Sequence, residues 1–231
     1  MIEPRPARER GVTTLGWLES RHTFSFGGYH DPRHMGFSHL RVLNDDRVRP
    51  GRGFAMHSHR DMEILSIVLS GALEHKDSLG NGSVIRPGEI QRMTAGTGIT
   101  HGEFNPSATE EVHFLQVWIV PERAGLRPGY EQKTVPPRRR DRPLLLASRD
   151  GRDGSVTIHQ DAAVLALLLG PEERASHPIA AGRRAWVHVT RGGVVLNGTP
   201  LGEGDGAAAQ GEPALELTAK QESEVLLFDL A

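Results

Sequence analysis

Two short dyads constrain this chain more than any other feature of its sequence. One is His57-Ser58-His59 and the other is His101-Gly102-Glu103. Alternate residues of a β-strand point to the same face, so each dyad predicts two side chains that project together. Two such pairs aimed at one point supply three imidazoles and a carboxylate, a donor set suited to a divalent transition metal. The pattern therefore predicts strands here, a metal centre, and redox chemistry.

Glu63 is a second candidate for the carboxylate. It lies four residues after His59, so an unbroken strand would turn it to the same face as both histidines of the first dyad. Strand geometry inferred from the sequence does not separate Glu63 from Glu103 as the ligand.

The composition excludes several other classes of protein. The 231-residue chain has no cysteine, which excludes disulfides, thiolate metal sites and cysteine nucleophiles. Its net charge of −2 creates no field that would draw it to nucleic acid or to an anionic membrane. No apolar run is long enough to span a bilayer, and the first residues lack the apolar core of a signal peptide. We therefore expect a cytoplasmic protein with no nucleic-acid or membrane partner.

Short β-rich runs closed by Gly, Pro, Asn or Asp cover much of the chain, and helical periodicity is nearly absent. Many short strands with regular turn signals indicate an all-β sandwich or barrel. The length suits two domains of roughly 100 residues each, with one large all-β domain as the alternative. The expected strands are Ser38–Leu43, Met62–Leu69, Leu73–Lys76, His113–Val120, Thr157–Gln160, Ala185–Val189, Val194–Leu196, Leu215–Thr218 and Val225–Leu230.

A segment rich in proline and arginine interrupts this rhythm. We predict an N-terminal metal-binding domain over 1–125, a connection over 126–143, and a C-terminal domain without metal ligands over 144–231. The run Arg138-Arg139-Arg140 is interpreted as a solvated linker; a nucleic-acid contact is less favoured because the run is short and has no neighbouring aromatic residue. The stretches around Gly71 and Gly193 both indicate strand, glycine turn, strand, which suggests an internal repeat.

The spacing of the dyads matches a known pair of motifs. The first cupin motif is similar to the pattern formed by Gly51, His57, His59, Glu63 and Gly71. In this chain the gap between Glu63 and Gly71 is one residue longer than usual. The second motif is resembled by Gly88, Gly96, His101 and Asn105, with Thr94 in place of the usual proline and two extra residues before the histidine. Two motifs in order, at a plausible separation, are a specific signal.

The departures from the general cupin pattern resemble the pirin family, closest to its short bacterial members. The resemblance covers nearly the whole chain and is carried by the stretches 20–26, 40–46, 56–65, 77–81, 93–106 and 224–230. It implies a bicupin, in which two β-sandwich barrels share one chain and the N-terminal barrel holds one metal ion, usually iron.

The same resemblance implies roles for the candidate residues. The residue that matches Glu103 is the carboxylate ligand in pirins, so the implied ligands are His57, His59, His101 and Glu103, with Glu63 as a supporting partner. Fe(II) is the expected metal, and Mn, Ni, Cu and Zn are the alternatives. The implied activity is that of a quercetin 2,3-dioxygenase, acting with O2 on a small aromatic substrate. Glu103 is the first candidate for the base that takes the substrate proton, and Glu63 the second.

A rival hypothesis is a non-enzymatic, redox-responsive regulator that binds a metal and docks on a protein partner. An open pocket above the four candidate ligands would favour an enzyme, and a closed metal site with a broad exposed patch would favour docking. His22 is expected to pack or to lie at the surface rather than at the pocket mouth, and the facing of His75 is left open. Side chains considered either for pocket lining or for barrel core are Phe54, Met56, Met93, Phe104, Gln116 and Trp118.

Overall fold

The structure is a computed structural model that describes residues 1–137, 140 and 142–231. Arg138 and Arg139, on which the interpretation of the basic run depends, lie outside the described residues. Two short 3-10 turns occupy Ala7–Glu9 and Arg152–Gly154. The strands are β1 Ile2–Arg5, β2 Gly11–Leu15, β3 Leu18–His22, β4 Leu40–Val48, β5 Gly53–His59, β6 Glu63–Ser70, β7 Leu73–Asp77, β8 Gly82–Ile85, β9 Glu89–Thr94, β10 Ile99–Phe104, β11 Val112–Ile119, β12 Gly129–Thr134, β13 Leu144–Ser148, β14 Val156–Thr157, β15 Ala162–Leu169, β16 Arg174–Pro178, β17 Arg184–Arg191, β18 Gly193–Leu196, β19 Thr199–Gly202, β20 Gly206–Gln210, β21 Ala214–Ala219 and β22 Ser223–Leu230.

One compact unit comprises Gly11–Val135 and Ser155–Gln160. Its larger sheet has seven strands in the order β12-β9-β6-β11-β4-β3-β2, and its smaller sheet has four in the order β5-β10-β7-β8. Val68 and Phe114 of the larger sheet share a buried apolar cluster with Leu73 and Ile85 of the smaller one. Two antiparallel sheets that bury one shared core form a β-sandwich.

The other compact unit comprises Met1–Arg10, Pro136–Gly154 and Asp161–Ala231. One sheet runs in the order β1-β20-β17-β22-β15-β13, and a second runs β16-β21-β18-β19. Val187 and Leu227 of the first sheet pack in one cluster with Leu196 and Leu217 of the second. The prediction of an all-β chain with two sandwich units is therefore confirmed. Within the described residues, no helix has the length and apolar character needed to cross a bilayer.

The compact units exchange segments that the sequence-based domain boundaries keep together. Strand β1 pairs with β20 of the C-terminal half, and 155–160 belongs with the N-terminal half. Strand β12 lies inside the segment predicted as a connection, but it pairs with β9 along six residues. Its sequence, Gly-Tyr-Glu-Gln-Lys-Thr, carries little apolar alternation, so hydrophobic periodicity does not reveal it. The boundaries at 125 and 143 stay a prediction.

Two glycine turns support the internal repeat. Gly71 follows β6 with φ +76°, and Gly192 follows β17 with φ +81°. A Cβ added at Gly71 would lie 2.6 Å from the backbone oxygen of Glu111, and one at Gly192 would lie 2.3 Å from that of Glu222. Any larger residue would therefore clash with backbone in an unfavourable φ region. The same constraint at the same kind of turn is what a duplicated unit predicts.

Candidate metal centre

Strands β5 and β10 bring three histidines together. The two strands are antiparallel neighbours, with His101 directly opposite His57 and Ile99 opposite His59. The ring centroids are separated by 4.7 Å for His57 and His59, 4.5 Å for His57 and His101, and 4.9 Å for His59 and His101. One donor atom from each ring lies within 4.8 Å of the other two. The structure thus brings His57 and His59 of the first dyad together with His101 of the second.

Glu103 reaches this cluster through a β-bulge. Beyond His101 the register shifts, so that Glu103 lies opposite Phe54 and β5 carries one extra residue. Gly53 makes room for the approach, because a Cβ there would lie 2.1 Å from the backbone oxygen of Glu103. A carboxylate oxygen of Glu103 lies within 4.8 Å of donor atoms of His101 and His75. His101 is therefore shared by two overlapping groups of candidate ligands.

The Glu103 carboxylate is buried and held by hydrogen bonds from the larger sheet. Ser66 Oγ donates to Oε1 at 3.1 Å, and Gln116 Nε2 donates to Oε2 at 2.6 Å. Trp118 Nε1 donates to Gln116 Oε1 at 3.2 Å, which fixes the orientation of the amide. Burial raises the pKa of Glu103, while the neighbouring His75 ring and these hydrogen bonds act in the opposite direction. The carboxylate is thus fixed in place by its neighbours.

Hydrogen bonds also set which nitrogen each ring presents. His57 Nδ1 lies 2.7 Å from the Ala55 carbonyl oxygen. A carbonyl only accepts, so the proton of His57 is on Nδ1 and the lone pair is on Nε2. This is the arrangement in which ligand histidines commonly donate their second nitrogen to a backbone oxygen.

Hydrogen bonds also set the proton position of His101. They run from Asp77 through His75 to His101. The pKa of Asp77 is lowered, because hydrogen bonds from Asn81, His75 and the backbone outweigh the opposing effect of burial. The Asp77 carboxylate accepts from His75 Nε2 at 3.2 Å, which leaves the lone pair of His75 on Nδ1. That nitrogen lies 3.4 Å from His101 Nδ1, which must therefore be the donor. His101 Nε2 is left with its lone pair.

His101 Nε2 is the atom that most directly tests whether a metal fits. It is fully buried, and it has no hydrogen-bond partner within the described part of the chain. A buried acceptor without a partner costs about 1–3 kcal/mol, a cost that a bound cation removes. Together with the Nε2 lone pair of His57, it provides the neutral imidazole donors that divalent transition metals bind. The residues present fit such an ion.

Asp77→Asn should weaken metal binding although Asp77 is no candidate ligand. The amide cannot replace the carboxylate that sets the proton on His75, so His101 is less firmly oriented. Loss of such an outer partner typically costs roughly 10- to 100-fold in metal affinity. Competition with a chelator of known affinity measures it, and Glu74→Gln on the same strand is the control, because Glu74 pairs with Lys76. Equal metal affinity in both variants would contradict this orienting role.

The histidines of the cluster resist protonation. Burial, reinforced by the proximity of the His57 ring, lowers the pKa of His59 to about 4 and that of His101 to about 2. In unfolded chains histidine titrates near 6.5, so below that pH the unfolded state of metal-free protein binds more protons than the folded state. These histidines therefore leave the free energy of unfolding at its full value above pH 6.5, and they lower it as the pH falls toward 4.

In metal-free protein, we therefore expect the His59 ring to titrate with a midpoint near pH 4 in NMR spectra. The melting temperature should fall steadily between pH 6.5 and pH 4. A midpoint near 6.5 for His59 would show that its ring is solvated and would contradict the closed packing of the three rings.

Glu63 lies in a different environment. The chain turns at Asp61, which has φ +49°, so β5 ends at His59 and β6 begins at Glu63. The assumption of one unbroken strand from His59 to Glu63 is therefore wrong. The buried Glu63 carboxylate accepts from Thr94 Oγ1 at 3.0 Å and lies 3.3 Å from His159 Nδ1. Burial raises the pKa of Glu63 against the charges of His159 and Arg92. Among the described residues, the candidate ligand groups do not include Glu63.

A cavity of about 540 Å³ opens beside the cluster. His57, His59 and Glu103 lie in its wall, and so do apolar groups that include Trp17 and Phe26. Of the six side chains considered for pocket lining, Phe54, Gln116 and Trp118 line this cavity; Met93 is buried in a core cluster, and Met56 and Phe104 are 55% and 37% exposed.

The sequence interpretation missed two histidines in this region. His22, expected to pack or to lie at the surface, lines the cavity, and His75 supports His101 from behind. Both placements depend on which strands pair, and residue spacing along one strand carries no signal for that.

Comparison with known proteins identifies the family of this chain. The Pirin family model matches residues 4–119, and a model described as the quercetinase C-terminal cupin domain matches residues 145–230. Quercetin 2,3-dioxygenase of Escherichia coli K12 is 49% identical over 230 residues, covering 100% of this chain and 99% of that protein.

Solved structures support the same family assignment. The bacterial pirin YhhW of Escherichia coli in complex with nickel(II) superposes with a TM-score of 0.96 at 49% identity, covering 100% of this chain and 99% of that one. Escherichia coli YhaK superposes with a TM-score of 0.76 at 28% identity, covering 94% of each chain. A family model over half of the chain and a full-length relative at this identity establish that this chain belongs to the pirin family.

Proposed function

We propose that this protein is a metal-dependent dioxygenase that opens the central ring of flavonols such as quercetin at C2–C3 with O2. The observation that carries the proposal is the cavity of about 540 Å³, whose wall combines the imidazoles of His57 and His59 and the buried carboxylate of Glu103 with aromatic side chains. Pockets that bind small planar ligands have this size and this mixture of apolar walls and few polar groups. The full-length relatives named quercetin 2,3-dioxygenase support the same reaction.

The proposed metal ligands are His57, His59, His101 and Glu103. The proposal is supported by the three clustered rings, by the lone pairs assigned to His57 and His101, and by the fixed carboxylate of Glu103. Nitrogen and oxygen donors without sulfur favour Fe(II), with Mn, Ni, Cu and Zn as alternatives. When bound, such an ion supplies Lewis acidity toward a substrate hydroxyl and redox capacity toward O2.

The protein side chains supply positioning and a base. Glu103 is proposed to take the proton of the flavonol 3-hydroxyl, because its carboxylate lines the cavity and its raised pKa brings it closer to neutral operating pH. Trp17, Phe26 and Phe54 would hold the planar rings and exclude water. Glu63 is the second candidate for the base, but it is not among the described residues that line the cavity.

The rival hypothesis of a regulator that docks on a protein partner receives less support. A cavity that reaches His57, His59 and Glu103 is the feature expected of an enzyme, whereas docking needs only a closed site below an exposed patch. No protein partner is therefore proposed, and a cytoplasmic location stays a prediction.

Aerobic incubation with quercetin tests the proposed reaction. Protein loaded separately with Fe, Mn, Ni, Cu or Zn is supplied with quercetin, and O2 uptake and carbon monoxide release are recorded together. At least one redox-active metal form should consume O2 and release carbon monoxide in equal amounts. The absence of both in every metal form would overturn the proposed activity, and turnover without O2 would indicate an isomerase or hydrolase instead.

A further inference from the structure

The cavity has a second polar region away from the histidine cluster. Its members, which we call the polar wall, are Thr13, Ser20, His22, Asn44 and Asp46. Ser20, His22, Asn44 and Asp46 are each no more than 3% exposed. A cavity wall built from polar side chains can form hydrogen bonds to a ligand, which an apolar wall cannot.

Strand register places the polar wall at a defined distance from the candidate metal centre. His22 on β3 lies opposite Asn44 on β4, and Asn44 lies opposite Gln116 on β11. Ser20 lies opposite Asp46, two residues further along the same strands and therefore on the same face. Adjacent strands are about 4.8 Å apart and successive residues about 3.4 Å, so Asp46 is roughly 8 Å from Gln116, the residue that holds Glu103, and Asn44 is roughly 5 Å from it. A ligand of two or three fused or linked rings spans these distances.

Hydrogen bonds within the wall hold its side chains in one arrangement. Asn44 Oδ1 lies 2.9 Å from His22 Nδ1 and accepts its proton, so His22 Nε2 accepts from Thr13 Oγ1 at 2.8 Å. Ser20 Oγ lies 3.3 Å from His22 Nδ1. With its oxygen used in this way, Asn44 offers amide hydrogens to a ligand. Asp46 is acceptor-only when ionised, so it recognises a hydroxyl hydrogen.

We propose that the polar wall binds phenolic hydroxyl groups on the substrate ring that lies far from the metal centre. Asp46 accepts from such a hydroxyl, and Asn44 donates to its oxygen. The substrate class is then planar polyphenols that carry hydroxyl groups at both ends, rather than any flavonol with a 3-hydroxyl. This assignment rests on the proposed function, since it concerns the same cavity.

Equilibrium binding without oxygen tests the polar wall independently of turnover. Metal-loaded wild-type protein and Asp46→Asn are titrated anaerobically with quercetin and with 3-hydroxyflavone, which lacks every ring hydroxyl except the one at C3. Asp46→Asn should weaken quercetin binding roughly 10-fold, the scale of one hydrogen bond to a charged group, and should leave 3-hydroxyflavone binding unchanged. The control is Asp45→Asn on the same strand, because Asp45 pairs with His113 and does not line the cavity.

Each outcome has a defined meaning. Equal weakening of both ligands, or unchanged quercetin binding, would overturn the polar wall as a hydroxyl site, as would a wild-type protein that binds neither flavonol. If Asp46→Asn does not fold, Asn44→Ala is expected to show the same selective loss. Selective binding without O2 uptake would refute the dioxygenase and leave the binding site in place, whereas turnover without selectivity would refute only the polar wall.

Discussion

Glu103→Gln should reduce flavonol turnover by roughly 10²- to 10⁴-fold, the range attributed to a positioned general base. The amide keeps the size of the side chain but can neither take a proton nor supply a negative oxygen to a cation. Glu63→Gln should affect turnover far less, because its carboxylate faces Thr94 and His159. The decrease in log kcat/KM for this variant should be less than a tenth of the decrease for Glu103→Gln. The measurement is kcat/KM for quercetin, from O2 uptake at matched metal content.

The comparison of the two variants decides which carboxylate acts. Metal content is measured beside each rate, so that loss of the ion is separated from loss of the base. A larger loss in Glu63→Gln than in Glu103→Gln would reverse the assignment and make the second candidate the base.

His101→Ala should lower the metal content of purified protein by more than about 10-fold. His101 is fully buried and belongs to both groups of candidate ligands, so its loss removes a donor from each group. Added metal should raise the melting temperature of the wild-type protein, because an ion that binds only the folded state stabilises it, and this increase should vanish in the variant. Elemental analysis and thermal melts with and without metal provide both measurements.

His30→Ala is the matched control, because His30 is exposed and outside the candidate ligand groups among the described residues. It should retain wild-type metal content and the wild-type thermal shift. Full metal occupancy in His101→Ala would refute the proposed ligand set.

The two sheets of the N-terminal half carry different parts of the site. The smaller sheet carries the candidate ligands on β5 and β10 and the supporting His75 on β7. The larger sheet carries one row of paired polar residues, in which His22, Asn44, Gln116 and Ser66 lie opposite one another in turn. Ser66 and Gln116 hold Glu103, and the remaining two belong to the polar wall. One row thus connects the carboxylate with the proposed hydroxyl site.

The part of this site that was predictable from sequence is the local part. A period of two residues is a property of a single strand, so the shared faces of His57 with His59 and of His101 with Glu103 could be inferred directly. The same period does not apply to Glu63, because the positive φ at Asp61 ends the strand between His59 and Glu63. The contact of His75 with His101 and the row from His22 to Ser66 depend on strand pairing between distant segments, which residue spacing does not encode.

Anomalous diffraction from crystals grown with nickel or iron tests the central claim most directly. Data collected at the absorption edge of the metal should give one strong peak in the N-terminal half, roughly 2.0–2.2 Å from a ring nitrogen of each of His57, His59 and His101 and from an oxygen of Glu103. A peak bounded by His75 in place of His57 and His59, or no peak at these residues in metal-loaded protein, would contradict the account.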